Sequence, residues 1–162
     1  MRLYKITTIY QDSKEEYNIA SLYKNDWERI SQHQFLSEPF IEKYKDKLDW
    51  EQISIFQKLS NKFIEKYANL IDWKLASKYQ KLSESFIEKY QNKLNWNFIS
   101  HCQVLSESFI EKYKDTVSWH HISCYQNLSE SFIERFEDYV DWDYIMFQNL
   151  SPEFKKKYKD KL

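Results

Sequence analysis

Glycine is missing from this chain of 162 residues, and its absence removes many kinds of site at once. A chain of this length would ordinarily carry roughly eleven glycines, at about 7% of its residues. The phosphate-binding loop of nucleotide hydrolases, the dinucleotide fingerprint, the kinase glycine-rich loop and the nucleophile elbow all require glycine. We therefore expect none of these catalytic motifs, and few tight hairpins.

Cysteine is scarce as well, and neither sign of charge is in excess. Two cysteines, Cys102 and Cys124, are too few for a disulfide framework and are typical of a reducing compartment. The 24 Lys and Arg residues balance 25 Asp and Glu residues, which disfavours both a nucleic-acid binder and an acidic mimic of DNA. Residues 1–6 lack the apolar core of a signal peptide, and no apolar run approaches the length of a membrane span. We predict a cytoplasmic protein that does not contact a membrane.

A tandem repeat dominates the sequence. Its six tryptophans stand 23 residues apart without exception: Trp27, Trp50, Trp73, Trp96, Trp119 and Trp142. A Leu-Ser pair recurs in step from Leu36-Ser37 to Leu128-Ser129, whereas the last pair, Leu150-Ser151, comes one residue early. A period of about 20–50 residues indicates a repeat architecture such as a solenoid.

Each repeat contains two signals for the start of a helix. One is the Ser of the Leu-Ser pair, and the other is the residue before each Trp: Asp26, Asp49, Asp72, Asn95, Ser118 and Asp141. Such side chains accept a hydrogen bond from a first-turn amide. The apolar spacing places Phe40 and Ile41 on one face of the first helix, and Trp50, Ile53 and Phe56 on one face of the second. We predict an all-α solenoid of stacked helix-turn-helix repeats, with about nine residues in each helix.

The two ends of the array differ from its middle. We expect residues 1–26 to form an N-terminal arm with a degenerate capping unit, residues 27–149 to form the tandem repeats, and residues 150–162 to form a C-terminal capping helix. Within the first part, residues 13–24 are predicted to be helical, and residues 4–10 to be a short strand or an extended arm. Five lysines give the final helix a polar outer face that would seal the core.

The unit L-S-E-S-F-I-E-K-Y, followed by a Trp and then by I-S and a Gln, resembles short α-helical repeats found in uncharacterised proteins of giant DNA viruses and some phages. The resemblance covers residues 27–162, and residues 82–104 and 105–127 are its best specimens. It implies an α-solenoid and a viral or phage origin. The composition, rich in Lys, Asn, Ile and Tyr, would also fit an AT-rich genome. It implies no common catalytic residue.

Positions that recur in every repeat are interpreted as structural, because one active site does not need six copies. The repeated Trp, Ile, Phe and Tyr are therefore assigned to the core. The recurrent Ser and Gln, such as Ser54 and Gln57, are interpreted as a ladder of hydrogen bonds between neighbouring repeats. The alternative for them is a polar row that binds the backbone of an extended peptide. The Glu-Lys pairs are interpreted as a solvated face.

Binding specificity is expected at positions that vary while the repeat frame stays constant. The two residues after each Trp differ in every repeat, and later positions of the same helix differ too. Large aromatic and imidazole groups tend to anchor interfaces, so we predict a partner-binding surface at Phe98, His101, His120, His121 and Tyr144. A zinc site that includes His101, His120 and Cys124 is a lesser alternative, because His and Cys ligate zinc but no CxxC or HxxxH spacing occurs. We predict no metal and no cofactor.

These features favour a non-catalytic scaffold that binds a protein partner. With a viral origin, that partner would be a host factor that the scaffold blocks in the host cytoplasm. Two alternatives stay open: a helical repeat protein that binds single-stranded nucleic acid, and a self-assembling structural protein whose copies form homo-oligomers. We predict that the protein is not an enzyme.

Overall fold

The computed structural model describes residues 26–32 and 36–161, in which every regular element is an α-helix and twelve helices are present. They alternate between two kinds. Those that begin at the repeated tryptophan are called Trp helices: α1 (Trp27–Ser31), α3 (Trp50–Phe56), α5 (Trp73–Tyr79), α7 (Trp96–Cys102), α9 (Trp119–Tyr125) and α11 (Trp142–Ile145). Those that contain the repeated phenylalanine are called Phe helices: α2 (Glu38–Lys43), α4 (Asn61–Lys66), α6 (Glu84–Lys89), α8 (Glu107–Lys112), α10 (Glu130–Arg135) and α12 (Pro152–Lys157). The predicted all-α repeat solenoid with its 23-residue period is confirmed.

The chain forms two compact units, Met1–Lys81 and Leu82–Leu162. In the described part of the first unit, α1 packs against α3 and α3 against α5; in the second, α7 packs against α9 and α9 against α11. Consecutive Trp helices thus stack directly within each unit, which stabilises helices of four to seven residues that would not form alone. The predicted arm at residues 4–10 and the predicted helix at residues 13–24 lie outside the described residues.

The core consists of two rows of isoleucines with no exposed surface. One row lies on the Trp helices (Ile30, Ile53, Ile99, Ile122 and Ile145) and the other on the Phe helices (Ile41, Ile64, Ile87, Ile110 and Ile133). Burying each side chain contributes about 1.5–3 kcal/mol. Buried Leu and Phe side chains of the Leu-Ser-x-x-Phe segment extend the same core.

Two predictions about the core are wrong. Phe56 was expected on the buried stripe of its helix, but 42% of its surface is exposed, because α3 ends at that residue and Gln57 turns inward instead. The helices are correspondingly shorter than nine residues, with six or seven in most of them. The tryptophans are of intermediate exposure and pack on aromatic rings at the edge of the core. The indole of Trp96 lies over Tyr113 of the next repeat at 5.1 Å, and its Nε1 donates to the carbonyl oxygen of Gln91 at 3.2 Å.

The predicted helix caps are confirmed with one exception. In all six described Phe helices the Ser of the Leu-Ser pair accepts from the amide three residues later, as Ser83 does from Phe86. The Asp and Asn caps of the Trp helices accept from first-turn amides in the same way. Ser118 does not cap α9 with its side chain, because its Oγ lies 2.8 Å from Nδ1 of His121 instead.

The recurrent Ser and Gln form the predicted ladder between neighbouring repeats. Gln126 accepts from the amide of Leu105 at 3.1 Å, and its Nε2 donates to the carbonyl oxygens of Ser100 and Gln103 at 2.9 and 2.8 Å. The Ser100 hydroxyl donates to the carbonyl of Trp96 in its own helix and accepts from the amide of the next cap residue, Ser118. Gln126 and its equivalents Gln57, Gln80 and Gln103 are buried. Because these groups already bond to the frame, the alternative of a peptide-reading row is excluded for them.

The Glu-Lys pairs connect neighbouring repeats as well as facing solvent. The carboxylate of Glu42 on α2 accepts from the Nζ of Lys66 on α4 at 2.5 Å, and Glu111 on α8 pairs with Arg135 on α10 at 2.9 Å. All these side chains are about half exposed, so each pair adds little to stability but fixes the register of adjacent Phe helices. No described helix is long and apolar enough to cross a bilayer.

Candidate partner-binding face

The Trp helices of the second unit are poor in charge. The helices α7, α9 and α11 contain no Lys, Arg or Glu, and Asp143 is their one acidic residue. The Phe helices α8, α10 and α12, by contrast, each carry two or more charged side chains. Depletion of charge with enrichment in aromatic groups is typical of the buried centre of protein interfaces. The second unit therefore presents one surface suited to desolvation and one suited to water.

Four rings stack across α7 and α9 or stand beside that stack. The imidazole of His101 lies parallel to the phenol of Tyr125, with ring centroids 3.9 Å apart and 16° between the planes. His101 also lies parallel to His121 at 5.4 Å, and His121 is 6.2 Å from Tyr125. His120 meets the edge of His121 at 5.3 Å. A continuous group of rings thus bridges two neighbouring repeats.

A third helix joins this group through Tyr144. His120 on α9 contacts Tyr144 on α11 edge to face at 4.7 Å. The Nδ1 of His120 is also 3.0 Å from the Oδ2 of Asp141, the cap of α11. We name the group formed by His101, His120, His121, Tyr125 and Tyr144 the ring face.

The repeat explains why these side chains meet. His120 and His121 occupy the first two positions after their tryptophan, and Tyr144 is the second residue after Trp142. His101 is the fifth residue after Trp96 and Tyr125 the sixth after Trp119. Since neighbouring Trp helices stack in parallel register, equivalent positions form rows along the stack, and bulky residues in adjacent rows touch.

The sequence-predicted residues are brought together with one exception. His101, His120, His121 and Tyr144 all belong to the ring face. Phe98 lies half-buried one turn before His101 on α7, and it takes part in none of the ring contacts that define that face. Whether any of these residues binds a partner stays a prediction.

Burial and mutual charge affect the ionisation of the ring face. Partial burial lowers the pKa of His121, and the neighbouring positive charges that His101 and His120 acquire lower it further. The pKa of Tyr125 is raised, mainly by a hydrogen bond with Cys124 and by the electrostatic effect of the same side chain. Both shifts favour neutral side chains at neutral pH, which lowers the cost of desolvating this surface.

Sequence reasoning left Tyr125 and several exposed apolar residues of the second unit out of the predicted surface. Tyr125 is 53% exposed although it stacks on His101. Val104 is 93% exposed and Phe147 is 79% exposed, and Met146 is exposed beside it. Val104 lies eight residues after its tryptophan, at a linker position that is Phe35, Lys58, Lys81 or Asn127 in other repeats.

Two other uses of this surface find no support in the geometry. Within residues 26–32 and 36–161, no group of three or more His, Cys, Asp and Glu side chains is placed to hold a metal ion. The rings of His101 and His121 are stacked and do not converge on a common point. The tryptophans already pack on aromatic rings of the next repeat, as Trp119 does on Phe136 at 5.3 Å, so they do not form a free row for stacking bases.

Comparison with family models, with curated proteins and with solved structures finds no match to this chain.

Proposed function

We propose that the protein is a non-catalytic scaffold that binds another protein through the ring face of its second unit. The observation that carries this proposal is the continuous group of five partly exposed rings on helices that lack Lys, Arg and Glu. Rigid aromatic and imidazole groups lose little side-chain entropy when they are buried, and they anchor interfaces for that reason.

The frame around the ring face supports binding rather than turnover. The repeated Ser, Gln and cap residues are each engaged by backbone groups of the same or the neighbouring repeat. A rigid surface of this kind is pre-organised, so association costs little ordering of its own side chains. The partner that we propose is a cytoplasmic protein, and, given the resemblance of the repeat to those of viral and phage proteins, a host protein whose surface is occluded.

Charge favours a protein partner over single-stranded nucleic acid. A groove that binds a phosphate backbone requires a row of Lys or Arg, and the Trp helices of the second unit supply none. Binding through the ring face should therefore weaken only modestly between about 50 and 200 mM salt, whereas multiple phosphate contacts would lose roughly a thousandfold.

The test is affinity capture from host extract, followed by mass spectrometry, with two matched double variants. His120→Ala with His121→Ala removes two rings, and Glu51→Ala with Gln52→Ala changes the same two helix positions in α3 of the first unit. We expect the first pair to weaken recovery of the partner about tenfold or more, since anchoring residues contribute about 2 kcal/mol or more. We expect the second pair to leave recovery unchanged.

Thermal melting shows whether each variant is folded, and both should melt within a few degrees of the unaltered chain. A partner that is retained by the histidine variant but lost with changes on α6, such as Glu88→Ala with Lys89→Ala, would place the binding surface on the Phe helices. A partner identified as nucleic acid, with the steep salt dependence described above, would replace the proposal altogether.

A further inference from the structure

In the second unit, the same set of groups holds each repeat against the repeat that follows it in the chain. The glutamate directly after the cap Ser accepts from the next cap amide, as Glu107 does from Ser129 at 2.6 Å. The glutamate four residues further on pairs with a cation of the next repeat, as Glu134 does with Lys157 at 2.8 Å. The leucine amide before the cap donates to the next glutamine, as in the bond from Leu128 to Gln148.

A buried isoleucine lies between these two glutamates. The fourth residue after the cap Ser is isoleucine in the five Phe helices α2, α4, α6, α8 and α10, and each of these isoleucines is fully buried: Ile41, Ile64, Ile87, Ile110 and Ile133. The position thus requires a neighbour that excludes water from it.

The last described repeat departs from this set at every one of these positions. Pro152 stands directly after the cap Ser151 in place of the accepting residue, Lys155 stands in place of the isoleucine, and Lys156 stands in place of the second glutamate. Lys155 and Lys156 are exposed. The amide of Leu150 donates to the carbonyl oxygen of Gln148 in its own linker at 3.0 Å. Its hydrogen bond is therefore made without the glutamine of a following repeat, which accepts from the equivalent leucine amide in earlier repeats.

These changes remove the groups that would bind a following repeat, and they also make the packing of such a repeat unfavourable. A further repeat would place its own lysine or arginine beside Lys156, where the pairing glutamate normally lies, and like charges repel. It would also have to bury the ammonium group of Lys155 without a counter-charge, which is costly. Proline at position 152 offers no side-chain acceptor to a following cap amide.

We infer that the outer side of α12 disfavours the stacking of a further 23-residue repeat, such as one presented by a second copy. The one-residue deletion before Leu150 belongs to the same device, because it shortens the linker and lets Leu150 bond to Gln148. End-to-end growth of the stack through α12 is therefore disfavoured. This inference does not depend on the ring face, which lies on the Trp helices.

The test adds one repeat to the full chain. A copy of residues 118–140 is fused directly after Leu162, where the register of the repeat calls for a cap and a tryptophan. The fusion is made on the unaltered chain and on a variant that carries Pro152→Glu, Lys155→Ile and Lys156→Glu. Hydrogen exchange is measured for the added amides, and both chains without the addition serve as controls for folding.

We expect the added repeat to exchange nearly as an unfolded segment on the unaltered chain, and roughly 100-fold more slowly on the triple variant, because the variant restores one buried isoleucine and two acceptors. Lys156→Glu alone, a change of one exposed charge that does not threaten folding, should slow the exchange about threefold. Equal protection of the added repeat on the unaltered chain and on Lys156→Glu or the triple variant would overturn the inference.

Discussion

The glutamine ladder makes the sharpest prediction about stability, and Gln126 is the place to test it. Its Oε1 accepts one amide and its Nε2 donates to two carbonyl oxygens, all in the preceding repeat. Gln126→Glu keeps the size and shape of the side chain and replaces only the NH₂ group by an oxygen. The variant therefore leaves packing almost unchanged, but at neutral pH it removes the two donated hydrogen bonds and also places a negative charge beside two carbonyl oxygens.

The expected loss follows from the burial of both carbonyls. Each of the oxygens of Ser100 and Gln103 would lose its donor in a buried setting, which costs about 1–3 kcal/mol per group. The two groups together give a loss of about 2–6 kcal/mol at neutral pH, to which the burial of the carboxylate charge adds. That loss is a large share of the stability of an ordinary domain of this size.

The pH dependence of the loss gives a second check. Burial and the two facing carbonyls should raise the pKa of the introduced carboxyl above about 4.3, its value in an unfolded chain. A group whose folded pKa is raised stabilises the protein fully below the unfolded pKa and loses that contribution as pH rises through the folded pKa. The difference in unfolding free energy between variant and unaltered chain should therefore shrink as pH falls from the raised folded pKa to about 4.3 and stay constant below it, because the protonated acid can donate one bond again.

Urea unfolding followed by circular dichroism measures the free energy, with Gln91→Glu as the matched control. Gln91 is exposed and donates only to the carbonyl oxygen of Glu88, so its variant should change stability by less than about 0.5 kcal/mol. If Gln126→Glu costs no more than Gln91→Glu, the ladder does not stabilise the stack and the reasoning fails.

Three further predictions concern the caps, the histidines and the tryptophans. Asp49→Ala should cost about 1 kcal/mol in urea unfolding, whereas Ser118→Ala should cost less than half of that, because Ser118 accepts no first-turn amide; equal losses would contradict the cap geometry. The lowered pKa of His121 means that its neutral form is favoured in the folded state, so its contribution is present above about pH 6.5 and is lost as pH falls through the lowered pKa. When pH falls from about 7.5 to 5.5, the unfolding free energy of His121→Gln should therefore decrease less than that of the unaltered chain. Equal decreases in the two proteins would refute this. Trp96→Phe should cost about 1 kcal/mol, since it removes the hydrogen bond to Gln91 while keeping a ring on Tyr113; a neutral result would show that this bond contributes nothing.

The frame of the fold could be predicted from the sequence because the residues that define it recur in every repeat. The spacing of Trp, of Leu-Ser and of the cap residues defines two helices per repeat, and neither kind is stable alone. The ladder role of Ser54 and Gln57 was predicted for the same reason, since a polar residue that recurs in a packed interface must find a partner there. Repetition thus revealed the architecture without any measure of relatedness.

Details that depend on where a helix stops could not be predicted. The aromatic Phe56 looks like a core residue by its spacing, but the turn at Gln57 leaves it exposed. A serine before a tryptophan looks like a cap, but in Ser118 the hydroxyl has a competing partner in the nearby imidazole of His121. Both errors arise because local spacing does not include the competing contact.

The ring face was predicted only as a set of variable positions. Its members lie in different repeats, and the contact between His101 and Tyr125 depends on the offset between adjacent Trp helices, which no single repeat encodes. Tyr125 lies at a variable position of its helix but was not included in the predicted partner-binding surface. The tyrosine that recurs in the repeat is a different one, which directly follows a Phe helix, as Tyr113 follows Lys112.

The division between frame and variable positions also limits where a partner can bind. The buried Ser and Gln side chains of the described repeats already bond to backbone groups, and the Phe-helix glutamates already pair with cations or amides of the next repeat. A partner that used these groups would have to displace bonds that hold the stack together, so its binding would cost stability. The rings of the ring face contact mainly one another, and their hydrogen bonds to the frame are limited to those of His120 with Asp141 and of His121 with Ser118. The side chains of the ring face can therefore change from repeat to repeat, and can meet a partner, while the solenoid beneath them stays the same.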